Sequence, residues 1–181
     1  MSESEHMSEL AEALKPFIGM ESHTDTACDV VERGAVRRYA QAIMNEDPIF
    51  SVACENNKRY GGPVAPPFFP THLFRRPFGV PDPIQNNAHD PDFDGIVAAT
   101  ISGLPELTPL KGYALLNGGS ELEFYRYPLH GETISMKSRY ADIVEKQTSK
   151  GLIILVVIES EYRNEKNDLL IRVRRTQIRR K

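Results

Sequence analysis

Apolar residues recur at helical spacing in two stretches of the N-terminal third. Leu10, Leu14 and Ile18 fall on one helical face, which predicts a short helix over 8–17 that ends near Gly19. A second and stronger helix is predicted over Glu32–Met44. Its apolar stripe, with intervals of three or four residues, consists of Val36, Tyr39, Ala40 and Ile43.

The C-terminal half alternates apolar and polar positions instead. This alternation covers 121–127, 133–144 and 169–178, and it predicts strands with one buried face. The continuous apolar run 152–158 predicts a strand covered on both faces. A further strand is predicted at 27–31. Helices early in the chain and a strand meander late in the chain together indicate an α+β fold.

The middle of the chain is rich in proline and glycine. A short helix is predicted from Pro67 to about Phe74, because proline suits a first helical turn. An insert at about 77–110 contains six prolines, and we expect either a binding lid or short hidden elements such as 95–101. Residues 1–7 are polar and predicted to be disordered, which leaves 8–181 as one domain.

Composition limits the classes of function. The chain has 181 residues, a net charge of −3 and a pI near 6.0, so one domain is expected and nucleic-acid binding is not. The basic C-terminal end is interpreted as the polar face of the last strand plus a tail, with an anion site as the alternative. Its basic residues are Arg172, Arg174, Arg175, Arg179, Arg180 and Lys181.

Cysteine content and hydropathy indicate a cytoplasmic location. Cys28 and Cys54 have neither the number nor the spacing of a disulfide framework or a metal site. The N-terminus is acidic and lacks the apolar run of a signal peptide. The longest apolar run, Leu152–Ile158, is too short to cross a bilayer. We therefore expect no metal and no membrane partner.

Four motifs, in this order, resemble the MaoC-like hydratase/dehydratase superfamily. They are NEDPIF at 45–50, GPVAPPFF at 62–69, LNGGSELEF at 116–124 and LHGET at 129–133. The resemblance implies a hot-dog fold, in which an antiparallel sheet wraps around a central helix and two such units pair side by side. It is strongest with the accessory, non-catalytic subunits of (3R)-hydroxyacyl thioester dehydratases.

The chain departs from that family where its chemistry is performed. Working hydratases carry Asp-x-Asn-Pro-x-His in the first motif, and the Asp and His handle water and proton transfer. This chain has Asn45 and Phe50 at those two positions, and neither transfers a proton at neutral pH. A backbone N–H at the helix start stabilises the thioester oxygen in the family, whereas Pro67 has none. We therefore expect no catalytic residue in this chain.

The remaining implications of the resemblance concern binding. The expected ligand is an acyl thioester of CoA or of a carrier protein, with no other cofactor, and the insert suits a bulky or long acyl group such as a steroid side chain. The expected partner is a catalytic MaoC-like subunit that carries the Asp/His pair. The expected substrate-binding residues are Val64, Ala65, Phe68, Phe69, His72, Gly118, Gly119 and Ser120.

Two other hypotheses remain open from the sequence. The chain could be a homo-oligomeric hydratase whose acid and base lie elsewhere, with His72 and His130 as candidates, although each is more typical of a surface or packing histidine. It could also be a homodimeric acyl-thioester-binding protein without enzymatic function. Asp47-Pro48, taken alone, is also typical of a simple turn that ends a helix.

Overall fold

The computed structural model describes residues 8–50, 55–74, 79–93, 103–149 and 151–181. One antiparallel sheet has the strand order β1-β3-β4-β5-β2. The strands are β1 Asp25–Thr26, β2 Ala114–Phe124, β3 Ile134–Thr148, β4 Gly151–Asn164 and β5 Leu169–Arg180. The α-helices are α1 Glu9–Leu14, α2 Arg33–Ala42 and α3 Pro83–Asn87. Short 3-10 helices cover Lys15–Phe17, Pro48–Phe50, Glu55–Tyr60, Phe69–His72 and Thr108–Leu110.

The main core lies between one face of the sheet and α2. Met136, Tyr162 and Ile171 are cross-strand neighbours on β3, β4 and β5, and all three are buried. Val36 of α2 and Phe69 of the following 3-10 helix are fully buried in the same cluster. We call this side of the sheet the inner face. The alternation predicted from the sequence therefore selects the residues that enter the core.

A second core cluster joins α1 to the end of the proline-rich insert. Leu14 of α1 packs with Leu104, Leu107 and Leu110 against the inner face of β3 and β4. The hydroxyl of Tyr140 donates to the carbonyl of Pro105 over 2.7 Å. The last part of the insert is thus a structural element of the domain, whereas the predicted element at 95–101 and the predicted disorder of 1–7 lie outside the described residues.

The outer face of the sheet carries ion pairs instead of helices, since α1 and α2 both pack on the inner face. Arg172 Nη2 lies 2.8 Å from Glu161, and Arg139 Nη2 lies 2.7 Å from Glu159. The prediction that residues 152–158 are covered on both faces is wrong, because outer-face positions such as Leu155 are only half-buried. Within the described ranges, no helix is long and apolar enough to cross a membrane.

Two further elements differ from the predictions. The strand predicted at 27–31 is absent; the pairing with β3 is at 25–26, and Ala27 keeps only a single backbone bond to Ile134. The helix predicted from Pro67 to Phe74 is a 3-10 helix over Phe69–His72. Pro70 lies inside that segment and has no N–H to donate, which removes one bond of a regular helix. The predicted helices over 8–17 and 32–44 are confirmed as α1 and α2, each a few residues shorter.

Candidate functional site

The first motif begins where α2 ends. Ile43 caps the helix, and Met44 adopts a left-handed conformation with φ +54°. That conformation reverses the chain, so the backbone N–H of Asn45 donates to the carbonyl of Ala40 over 2.8 Å. The segment that follows is directed back towards the core by this turn.

The polar side chains of the first motif order the turn itself. Asn45 Oδ1 accepts a hydrogen bond from the backbone N–H of Asp47 over 3.0 Å. Asp47 Oδ1 accepts in turn from the backbone N–H of Ile49 over 3.1 Å. Both are bonds from a side chain to the backbone two residues on, which is a usual role of Asn and Asp in turns. Their acceptor atoms therefore point at the chain and stabilise the turn.

Phe50 is a core residue. Its side chain is 5% exposed, and its ring lies 5.8 Å from the ring of Tyr127 in an edge-on arrangement. The surrounding cluster contains Ala40, Ile49 and Val64. At the position where the resembling family has its histidine, this chain has an apolar packing contact.

The second motif packs directly on the first. Val64 lies in the same cluster as Phe50, and it forms an isolated antiparallel β-bridge with Leu129 of the fourth motif. The backbone N–H of Ala65 donates to the carbonyl of Pro128 over 2.9 Å. Val64, Ala65 and Phe69 are all fully buried. The structure therefore brings the first, second and fourth motifs together through packing and backbone bonds.

The start of the 3-10 helix offers few backbone donors. Pro67 has no N–H, and the N–H of Phe69 already donates to the carbonyl of Pro66 over 2.9 Å. Phe68 and His72 are exposed, and the His72 ring lies 5.4 Å from that of Tyr39. Of the substrate-binding residues predicted in this motif, only these two present side chains to the surface.

His130 is half-buried beneath the second motif. Its backbone N–H donates to the carbonyl of Pro63 over 3.0 Å, and its ring bonds to the backbone of Val64. Its Nε2 atom is buried without a hydrogen-bond partner. Burial lowers the pKa of His130 below 6.5, while the bond to Val64 opposes that shift. The lowered pKa favours the neutral form of the ring, and the ring contacts structural groups rather than a carboxylate.

The third motif forms a bulge on β2. The register shifts between Asn117 and Gly119, whose N–H donates to Asn117 Oδ1 over 3.0 Å. A Cβ on Gly118 would lie 2.9 Å from the carbonyl oxygen of Thr176, so only glycine fits there. In the described ranges, no hydrogen bond or ring contact joins Gly118, Gly119 or Ser120 to the first motif. The predicted site residues thus fall into two separate groups.

The anion site left open for the basic C-terminal end involves a polar group whose position on the inner face was not predicted. Beyond the bulge, Ser120 lies opposite Arg175, and Asn117 lies opposite Gln177. Arg179 follows two positions further along β5. The signal was present in the sequence: Arg172 and Arg174 share one parity along the strand, whereas Arg175 and Arg179 have the other. Among the described residues, no cluster of His, Cys, Asp and Glu could hold a metal ion.

Comparison with known proteins places the chain in a family. The family model described as FAS1-like, dehydratase domain region matches residues 16–173. No curated protein matches the chain. The ChsH1-ChsH2 complex from Mycobacterium tuberculosis contains a similar chain, with a TM-score of 0.71 at 19% identity over 95% of this chain and 91% of that one.

Two further solved structures are similar. The truncated HadBC (3R-hydroxyacyl-ACP dehydratase) complex from Mycobacterium tuberculosis has a TM-score of 0.53 at 16% identity, covering 90% of this chain and 96% of that one. The MaoC-like dehydratase from Rhodospirillum rubrum has a TM-score of 0.53 at 16% identity, covering 91% and 93%. These likenesses confirm the predicted hot-dog fold.

Proposed function

Since this chain belongs to the FAS1-like, dehydratase domain region family, we propose that it is the acyl-thioester-binding, non-catalytic subunit of a heteromeric (R)-specific enoyl-CoA hydratase or 3-hydroxyacyl dehydratase. The observation that carries this proposal is the burial of Phe50 in an apolar cluster. A dehydratase fold is retained, while the position expected to transfer the proton has become part of the core.

The other two positions at which the resembling family performs its chemistry support the same conclusion. Asn45 uses its side-chain oxygen to order the turn, and Pro67 has no N–H for a developing oxyanion. Loss of one oxyanion donor costs about 100–1,000-fold in rate, and loss of general acid–base catalysis costs about 100–10,000-fold. Even without strict additivity, hydration by the isolated chain is expected to be negligible.

The exposed edge strand β2 supports the proposal of a partner subunit. β2 ends one side of the sheet, and all of its residues are exposed. A long, apolar and unpaired edge favours pairing with another strand. Its exposed apolar side chains are Leu115, Leu116, Leu122 and Phe124. Two of the similar solved structures are themselves complexes, ChsH1-ChsH2 and HadBC, so we propose a MaoC-like subunit with an Asp/His pair as the occupant of this edge.

The thioester ligand is proposed from the family and from the accessible site residues. Phe68 and His72 present side chains at the surface beside α2, where an acyl chain would contact them. Gly118–Ser120 lies on the edge strand that the partner would join. Val64, Ala65 and Phe69 would form the wall beneath the ligand. The acyl group is carried by CoA or by a carrier protein.

Hydration assays with and without the partner test this proposal. The purified chain is expected to show negligible hydration of crotonyl-CoA and of longer enoyl-CoA. Co-expression with a MaoC-like subunit that carries Asp-x-x-x-x-His is expected to give a stable complex with hydratase activity. Substitution of the partner's catalytic histidine by alanine should then abolish that activity, because this chain supplies no replacement.

Other outcomes would overturn the proposal in distinguishable ways. Robust turnover by the isolated chain, lost in a His72→Ala or His130→Ala variant, would favour a homo-oligomeric hydratase. Tight acyl-CoA binding without complex formation by any MaoC-like subunit would favour a non-enzymatic acyl-thioester-binding protein.

A further inference from the structure

The arginines of β5 divide between the two faces of the sheet. On the outer face, Arg172 Nη2 lies 2.8 Å from Glu161, and Arg174 Nε lies 3.8 Å from Glu159. On the inner face, Arg175 and Arg179 form no ion pair with any residue that the structure describes. The same strand therefore presents the ion-paired Arg172 and Arg174 to the outer face, and two arginines without an ion pair to the inner face.

Neighbouring polar residues extend the inner-face arginines into a continuous surface. Ser120 lies opposite Arg175, and Asn117 lies opposite Gln177. Cross-strand neighbours on one face have Cβ atoms about 4.5–5.5 Å apart, so these side chains adjoin one another. We call this surface the inner-face strip; it consists of Asn117, Ser120, Arg175, Gln177 and Arg179. Along β5 it extends over about 13 Å.

Arg179 is half-buried, whereas Arg175 is exposed. Its Nε atom is buried without a hydrogen-bond partner, and its Nη2 atom donates to Gln177 Oε1 over 3.2 Å. Burial lowers the pKa of Arg179, while interaction with Tyr140 opposes that shift. A guanidinium withdrawn from water without a counter-charge is destabilising. An oxyanion beside the guanidinium group would supply the missing counter-charge.

Apolar side chains surround the strip. Leu115 and Leu122 lie on the inner side of β2, in register with Arg179 and Val173, and both are exposed. Ile154 lies opposite Arg179 on β4 and is buried. Neither β2 nor β5 has a carboxylate on its inner face. The surface thus offers basic donors between apolar side chains, which suits a ligand that has both an anionic group and an apolar part.

We propose that the inner-face strip binds a carboxylate carried on an apolar body, as in a fatty acid or the distal carboxylate of an acyl chain. The planar guanidinium groups match the two oxygens of a carboxylate. Leu115 and Leu122 contact the apolar body. This site shares Ser120 with the residues proposed to bind the thioester, but its occupation requires neither a thioester nor a partner subunit.

Calorimetry on the full chain with matched ligands tests the proposal. Laurate has both parts of the ligand, 1-dodecanol lacks the charge, and inorganic phosphate lacks the apolar body. Laurate is expected to bind, with affinity falling about tenfold to a hundredfold in Arg175→Gln/Arg179→Gln, because a hydrogen bond to a charged group contributes about 1.5–3 kcal/mol. Arg174→Gln is the matched control, since it makes the same change on the opposite face, and it should bind laurate as the wild type does.

Several results would overturn the proposal. Absence of laurate binding, or equal binding of laurate and 1-dodecanol, would exclude a carboxylate site. Equal loss in Arg174→Gln would indicate a general charge effect. Phosphate binding as tight as that of laurate would exclude the apolar contribution. Thermal unfolding of Arg179→Met, expected no lower than the wild type because an uncompensated charge is removed, verifies that the fold persists.

Discussion

Replacement of Phe50 by alanine separates a core role from a ligand-contact role at the position where the resembling family has its histidine. The Phe50 side chain is 5% exposed and packs on Tyr127, Ile49 and Val64. A buried phenylalanine removes about 150–250 Å² from water, which at about 25 cal/mol per Å² gives an upper estimate of about 4–6 kcal/mol. Substitutions of this kind cost about 3–5 kcal/mol, and we expect that loss in the free energy of unfolding.

Urea unfolding followed by circular dichroism measures this loss on the purified chain. Phe124→Ala is the matched control, because its ring is 50% exposed at the sheet edge and should cost less than about 1 kcal/mol in the isolated chain. For a chain of this size, the expected loss at Phe50 corresponds to a melting point lower by about 6–20 °C. A Phe50→Ala variant that unfolds with the wild type but loses acyl-CoA binding would refute the core assignment and make the ring a ligand contact.

Three further predictions test other parts of the structure. Glu132→Ala should lower the free energy of unfolding, measured in urea, by about 3–5 kcal/mol. The buried carboxylate accepts hydrogen bonds from Arg126 over 2.5 Å and from the backbone N–H of Leu129 over 2.8 Å. A loss below about 1 kcal/mol would contradict this prediction. The folded pKa of His130 is lowered, so its contribution to stability is full above the unfolded value of 6.5 and is lost as pH falls towards the folded pKa. The melting temperature of His130→Phe should therefore depend less on pH between about 7 and 5 than that of the wild type. An equal pH dependence of the two melting temperatures would show that His130 does not contribute to it. Gly118→Ala should cost about 1–3 kcal/mol, because its Cβ would lie 2.9 Å from the Thr176 oxygen; unchanged melting would show that β2 shifts freely.

Much of the fold was predictable because its signals are local. The stripe of Val36 and Ala40 gave α2, and the alternation of Ile134, Met136 and Tyr140 gave the buried side of β3. These periods follow from the geometry of a single helix or strand, so they can be recognised in the sequence without knowing which residues are neighbours in space. The helix predicted from Pro67 failed for a local reason too, since Pro70 interrupts its backbone bonds.

The candidate site was only partly predictable. The identities of Asn45, Phe50 and Pro67 were enough to expect no proton transfer and no backbone donor at these positions. Burial was not predictable, because it depends on segments far apart in sequence: Phe50 is covered by Tyr127, and Val64 by Leu129. The sequence likewise left open whether the insert was a lid, whereas its last leucines belong to the core.

Residue types and the short periods of helices and strands were enough to predict the class of the elements, their order and the absence of an Asp/His pair from the first motif. Which side of each strand meets a helix became known from the folded domain alone. That arrangement separates Arg172 and Arg174, which are ion-paired on the outer face, from Arg175 and Arg179, which have no ion pair with a described residue. Burial and charge pairing depend on the residues of neighbouring strands and helices, whereas the alternation within one strand shows only that its two faces differ.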